Sequence, residues 1–252
     1  MSLKNAIVKI KPAIFQIQLT QQQSSNLPFN SSLGTAFAIS DDGILLTALH
    51  VISYGEEIIA KSNGQGKLHA AFAGESVDRE DLKVMASFSG TEFDIIARDT
   101  QNDLALLKLK TGDLSNISIR VGGEDGPLTV PKSATILGNR PENGEAIAIS
   151  GYPLGEPSLV TNAGHIANNW TIIPQMYECY LGDVTSNPGN SGGPVYRQND
   201  AKVIGILTAS KLTSVLDEIG QPTNMSQSAS LAVIVPGYNI LKFVEDNDIR
   251  LS

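Results

Sequence analysis

The order of a few polar residues along this chain constrains its fold more than its composition does. All three histidines, His50, His69 and His165, precede the segment Asn187-Pro188-Gly189-Asn190-Ser191-Gly192-Gly193-Pro194-Val195. That segment places a serine between glycines, a setting that suits catalysis and that packing does not require. Glycines leave backbone N–H groups unscreened, so those of Gly189 and Ser191 can converge on an oxygen that becomes negative as the Ser191 hydroxyl attacks a carbonyl. Taken alone, the cluster also reads as a Gly-Asn-Ser-Gly turn between two strands. A hydroxyl nucleophile needs a base, and here every candidate base lies upstream.

His50 has the most distinctive context. Gly34-Thr35-Ala36-Phe37-Ala38-Ile39-Ser40, Asp41-Asp42-Gly43 and Ile44-Leu45-Leu46-Thr47-Ala48-Leu49-His50 read as a β-hairpin around an Asp-Gly turn, with His50 ending its second strand. Asp103 introduces the apolar run Leu104-Ala105-Leu106-Leu107-Lys108-Leu109, where a half-buried carboxylate can fix the tautomer of an imidazole. Gly189-Asn190-Ser191-Gly192-Gly193 also satisfies the G-x-S-x-G elbow of α/β-hydrolases, but no histidine follows Ser191, so that fold would lack its base. An Asp-His-Ser order drawn from Asp41 or Asp42 with His69 or His165 would use aspartates outside any buried strand. The order His50, Asp103, Ser191 fits best.

In these residues the chain resembles the chymotrypsin-fold, trypsin-like serine peptidases, and among them the bacterial HtrA/Deg branch. The resemblance rests on the leading segment Ala6 to Ile14, the histidine hairpin Gly34 to Ile52 with Thr47-Ala48-Leu49-His50, and the strand Asn102 to Leu109. It continues through Gly151-Tyr152-Pro153-Leu154-Gly155 and Pro188 to Val195. The family implies an all-β fold of two six-stranded antiparallel β-barrels with a C-terminal helix. Residues 1–132 would form the barrel carrying His50 and Asp103, and residues 133–252 the barrel carrying Ser191 plus the closing helix. It further implies a Ser-His-Asp triad, an oxyanion hole at Gly189 and Ser191, no metal or cofactor, and polypeptide substrates. A primary pocket based on Thr185 and walled by Leu207, Thr208 and Ala209 would hold a small or aliphatic side chain. The chain departs from the branch in an insertion within 61–92, which contains Asn63-Gly64-Gln65-Gly66, and in having nothing like a PDZ domain after Pro236. The alternative to an enzyme is an inactive, protease-like module that binds peptides or proteins.

Composition agrees. With 252 residues, 41% apolar and 17% charged, the chain can bury a large core, and 23 glycines suit short, turn-punctuated strands. A net charge of −8 argues against a nucleic-acid groove. The single cysteine, Cys179, permits no intramolecular disulfide and is expected in the core. Lys4, Lys9 and Lys11 interrupt the first residues, so no signal peptide or membrane segment is read and the chain as it stands is expected to be cytoplasmic. It would be exported or periplasmic if a leader has been removed, and a homo-oligomer is compatible with it. Asn190 precedes Ser191 where digestive relatives have an aspartate, and an amide gives a freshly cut N-terminus no charge to pair with.

Strands are expected at 13–19, 35–39, 44–51, 57–60, 93–97 and 104–109 in the first barrel. The second would use 146–150, 158–162, 177–181, 194–197, 203–209 and 230–235, after a linker at 131–144. The pattern at 238–247 reads as a closing helix.

Overall fold

The computed structural model describes residues 1–22, 28–78, 83–120, 128–172, 178–216 and 221–251. Helix α1 (Leu3–Ile10) is capped by Ser2, whose hydroxyl accepts from Asn5 N, and buries Ala6 and Ile10 one turn apart. Strands β1 (Ile14–Gln22), β2 (Pro28–Ser40) and β3 (Ile44–Ala48) follow, then helix α2 (Leu49–Lys61) and strands β4 (Lys67–Asp78), β5 (Lys83–Thr91), β6 (Phe93–Asp99) and β7 (Leu104–Leu109). They form one seven-stranded sheet in the order β5-β4-β1-β2-β3-β7-β6. A short ladder of β8 (Ile119–Arg120) and β9 (Leu128–Thr129) leads to the irregular segment 130–145.

The second lobe holds β10 (Ala146–Gly151), β11 (Val160–Ile172), β12 (Glu178–Gly182), β13 (Pro194–Arg197), β14 (Val203–Leu216) and β15 (Pro222–Pro236). These six close into a barrel in the order β10-β11-β12-β15-β14-β13, and α3 (Gly237–Glu245) packs on it through Ile240, Phe243 and Val244. The fold is thus all-β with a closing helix, as the sequence implies. The first lobe differs in its strands. Residues 57–60, expected as a strand, are the last turn of α2, where Lys61 pairs with Glu57 one turn back at 2.6 Å. The expected strand 44–51 accordingly ends at Ala48. The insertion supplies a β4–β5 hairpin that adds to the sheet beside β1, so the main sheet of this lobe is a seven-stranded half-barrel where a closed six-stranded barrel was expected. Tyr177 and the part of the insertion at 79–82 lie outside the described residues.

Alternation along the strands explains the apolar runs. On β2, Ala36 and Ala38 enter the core of the first lobe while Phe37 and Ile39 face a second cluster, and on β7 Ala105 and Leu107 divide from Leu104 and Leu106 in the same way. The second cluster gathers Ala6 and Ile10 of α1, Tyr196, Val203, Ile206 and Val235 of the barrel, and Phe243 of α3. The central strands therefore bury both faces, one inside their own lobe and one between lobes, and lose the polar alternation of a half-exposed strand. The inside of the second barrel is filled by Ile147, Ile149, Tyr180, Val195, Ile204 and Ile234. Beyond its barrel pairings, β14 continues with β15 as a ribbon through Leu212↔Ser228 to Leu216↔Pro222.

Cys179 lies on β12, fully buried. Burial, with the neighbouring Glu178 carboxylate, pushes its thiol up to about 11. Iodoacetamide at pH ~8 is accordingly expected to alkylate the urea-unfolded chain and leave the native one unmodified. Equal labelling rates in the two states would contradict the burial. Among the described residues no helix is long and apolar enough to cross a membrane.

Candidate active site

The antiparallel pairing of β3 with β7 ends at Ala48↔Leu104, so the next residue outward on each strand meets its counterpart. Leu49 N donates to Asp103 O at 2.9 Å, which carries the ladder one step past the strands. The chain then turns into α2, and His50 falls in its first turn. The Asp103 carboxylate accepts from His50 N through Oδ1 at 2.8 Å and meets His50 Nδ1 through Oδ2 at 2.6 Å. A carboxylate only accepts, so Nδ1 carries the proton and Nε2 presents a lone pair. The imidazole is about half exposed, at 47%, against 20% for the Asp103 side chain, so the acid is the more enclosed partner.

Asp103 has φ +54, a left-handed conformation that aspartate tolerates better than most residues. The turn before it is held by Asp99, whose carboxylate accepts from Gln101 N, Asn102 N and Asn102 Nδ2. Asn239 of α3 donates to Asn102 Oδ1 at 3.1 Å, which fastens this turn to the second lobe. Arg98 and Glu56 pair through two hydrogen bonds and tie α2 to β6; both are well exposed, so this pair contributes about 0 to 1 kcal/mol.

Ser191 sits on the connection from β12 to β13, in a loop whose four carbonyls from Pro188 to Ser191 each accept a hydrogen bond. Pro188 O accepts from Leu154 N at 2.7 Å, and Gly189 O from Thr35 Oγ1 at 2.7 Å. Asn190 O accepts from Gly193 N at 2.9 Å, and Ser191 O from Thr35 N at 2.9 Å. In a trans peptide the N–H points opposite to the C=O. Anchoring the Pro188 and Asn190 carbonyls therefore turns the N–H groups of Gly189 and Ser191 the other way, and neither donates to an acceptor among the described residues. Gly189 has φ +98, and a Cβ there would lie 2.3 Å from Tyr152 O, so glycine is required. The Ser191 hydroxyl lies 3.4 Å from Thr208 O. The Asn190 amide is buried, with neither Oδ1 nor Nδ2 hydrogen-bonded.

Beside Ser191 opens a cavity of about 400 Å³ lined by Ser186, Asn187, Pro188, Leu207, Ala209, Ser210 and Leu212. None of these carries a charge. Two hydroxyls, Ser186 Oγ and Ser210 Oγ, bond to each other at 2.5 Å and so satisfy one another. Of the residues expected here, Leu207 and Ala209 line the cavity. Thr208 is buried between them, at the irregularity where β14 shifts register against β15. Thr185 is exposed, with its carbonyl held by Asn162 Nδ2 at 2.9 Å, and its neighbour Ser186 faces the cavity. Sequence reasoning missed Ser186, Ser210 and Leu212. Ser210 directly follows Ala209 on β14, where register shifts against β15 on either side break the simple two-residue alternation that would have been used to look for it. His69 lies on β4 beside Lys67, and His165 on β11 beside Asp183 with Nδ1 and Oδ1 3.8 Å apart.

Residues 34–206 match the model of the trypsin-like peptidase domain. This chain belongs to that family. The matched span of the trypsin-like peptidase runs from the Gly34 strand, through the His50–Asp103 pair, to β14. Among curated proteins it is similar to a probable periplasmic serine endoprotease, DegP-like, of Halomonas elongata, with 30% identity over 69% of this chain and 29% of the relative. A protein of the same description from Pseudomonas fulva is 31% identical over 69% of this chain and 28% of the relative. The chain thus spans under a third of the length of these relatives. A solved structure described as the HtrA-type protease AlgW with decapeptide shares the fold, with a TM-score of 0.65 at 20% identity, over 98% of this chain and 68% of the other.

Proposed function

We propose that the chain is a serine endopeptidase in which Ser191 is the nucleophile, His50 the general base and Asp103 the group that holds the His50 tautomer. The observation that carries this reading is the pair of undonated N–H groups at Gly189 and Ser191, in a loop whose carbonyls are anchored away from them. Donors fixed before the reaction stabilise a developing oxyanion without reorganisation, which makes them the largest single contribution in acyl transfer. His50 takes the Ser191 proton as Oγ attacks the peptide carbonyl, and then passes it to the leaving amine. Water, deprotonated by the same imidazole, attacks the acyl-enzyme, and the proton returns to Ser191 as the ester bond breaks. The lobes at 1–132 and 133–252 serve as the two sides of the substrate cleft. Labelling by a fluorophosphonate in the wild type and not in Ser191→Ala tests the reading. A wild type that stays unlabelled would favour the inactive binding module.

The uncharged cavity points to cleavage after small or aliphatic residues such as Ala, Val or Leu. A lysine or arginine side chain would enter without a counter-ion, at a desolvation cost of several kcal/mol, whereas apolar burial gains about 1 to 3 kcal/mol. Mass-spectrometric profiling of cleavage in a denatured protein is expected to show this preference. Predominant cutting after Arg, Lys or Glu would overturn it.

A further inference from the structure

We infer that Thr35, on β2 of the first lobe, is a positioning residue for the oxyanion donors, an inference that rests on the peptidase reading above. Thr35 is fully buried, and its N–H and hydroxyl both reach the Ser191 loop. Its N–H donates to Ser191 O at 2.9 Å and its hydroxyl donates to Gly189 O at 2.7 Å. The same hydroxyl accepts from Tyr152 N at 3.1 Å, and its carbonyl accepts from Thr47 Oγ1 at 2.7 Å. Thr47 is three residues before His50 and pairs with Ala36 across the β2–β3 ladder. One residue therefore sets where the Ser191 loop stands relative to the strand that delivers the base.

The neighbouring glycines show how closely the parts approach. A Cβ on Gly34 would lie 2.7 Å from the Val51 methyls and 3.0 Å from Ser191 O, and one on Gly192 would lie 2.0 Å from Thr35 O. A Cβ on Gly151 would lie 2.7 Å from Thr35 Oγ1. The strand edge at Thr35 is thus packed against both the nucleophile loop and the chain entering the Tyr152 turn. Of the four loop carbonyls from Pro188 to Ser191, the Thr35 side chain and backbone hold two, and they are the ones tethered to the first lobe. Without the hydroxyl, Gly189 O and Tyr152 N lose their shared partner. The Tyr152 turn that brings Leu154 N to Pro188 O, the carbonyl of the peptide unit carrying Gly189 N–H, is then released together with the peptide that follows Gly189, and that N–H leaves the direction in which an oxyanion needs it.

Thr35→Val keeps the shape and removes the hydroxyl, while Thr35→Ser keeps the hydroxyl. With an aliphatic peptide substrate, Thr35→Val is expected to lower kcat per titrated active site about 30-fold with KM within about 3-fold, and Thr35→Ser to restore most of the rate. Affinity for a peptide boronic acid should fall in parallel with kcat, because that inhibitor places an anionic oxygen at the same donors. A merely structural role would reduce the titratable fraction and leave kcat per site and boronate affinity unchanged, and that result would overturn the inference. Should Thr35→Val fail to fold, Thr35→Ala removes the same hydroxyl without adding bulk and is read in the same way. Failure of the wild type to label with a fluorophosphonate would remove the peptidase reading itself. A labelled wild type with an unimpaired Thr35→Val would remove only the role of Thr35.

Discussion

Ser191→Ala is expected to lower kcat by about 10⁶-fold while leaving the fold intact. The hydroxyl has one long contact, 3.4 Å to Thr208 O, so its removal takes little from stability. His50→Ala should cost about as much, and the double variant little more than either alone, because nucleophile and base act as one unit. Asp103→Asn should lose about 10⁴-fold, since an amide can donate to His50 Nδ1 and so force the imidazole proton onto Nε2, where the base must accept. Single-turnover kinetics on one aliphatic peptide substrate compare all four variants. Additive losses, or turnover surviving Ser191→Ala, would place the chemistry elsewhere.

Gly192→Ala is expected to destabilise the protein by about 3 to 5 kcal/mol, combining strain at positive φ with a backbone collision. Gly192 has φ +84, and an added Cβ would lie 2.0 Å from Thr35 O, 2.3 Å from Thr47 Oγ1 and 3.0 Å from Ala48 N. Two of these are backbone atoms of strands buried between the lobes, so relief requires the lobes to separate or the loop to withdraw. Gly144→Ala is the internal control, with φ +83 and nothing within 4 Å of the new Cβ. It should cost about 1 to 2 kcal/mol from strain alone. Urea midpoints for the two variants separate the contributions, and equal losses would show that the collision is absorbed at no cost.

The parts of the site that lie next to each other in the ladder could be read from sequence. An apolar run opened by one aspartate and a hairpin closed by one histidine are local patterns. The Ala48↔Leu104 register converts them into a contact between His50 and Asp103. The second barrel was legible because β10, β13 and the barrel halves of β14 and β15 are short apolar runs bounded by turn residues. Glu57 to Ala60 misled because Ile58-Ile59-Ala60 is too short to show a period, and only continuity with Leu49, Ile52 and Gly55 reveals a helical face. The β4–β5 hairpin carries few large apolar residues, and pairing with β1 rather than its own pattern makes it a strand pair. Thr35 was invisible as a participant, because a threonine inside an apolar strand looks like ordinary strand composition until its partners at Gly189, Ser191 and Tyr152 are seen.

The ribbon formed by the outer halves of β14 and β15 has a thermodynamic consequence for the cavity beside Ser191. Leu212, one of the cavity's lining residues, lies where β14 pairs only with the part of β15 beyond its β12 ladder, and it is 63% exposed. A two-stranded ribbon without a second layer opens locally at a small fraction of the global unfolding free energy. On the proposed reading, the Leu212 part of the wall beside a substrate side chain is therefore itself in equilibrium between a closed and an open form. The observed dissociation constant is the intrinsic one divided by the closed fraction. Any change that fastens the ribbon, even far from the scissile bond, tightens binding without adding a contact to the substrate. By the same linkage, a bound peptide is expected to slow amide exchange along residues 212–214.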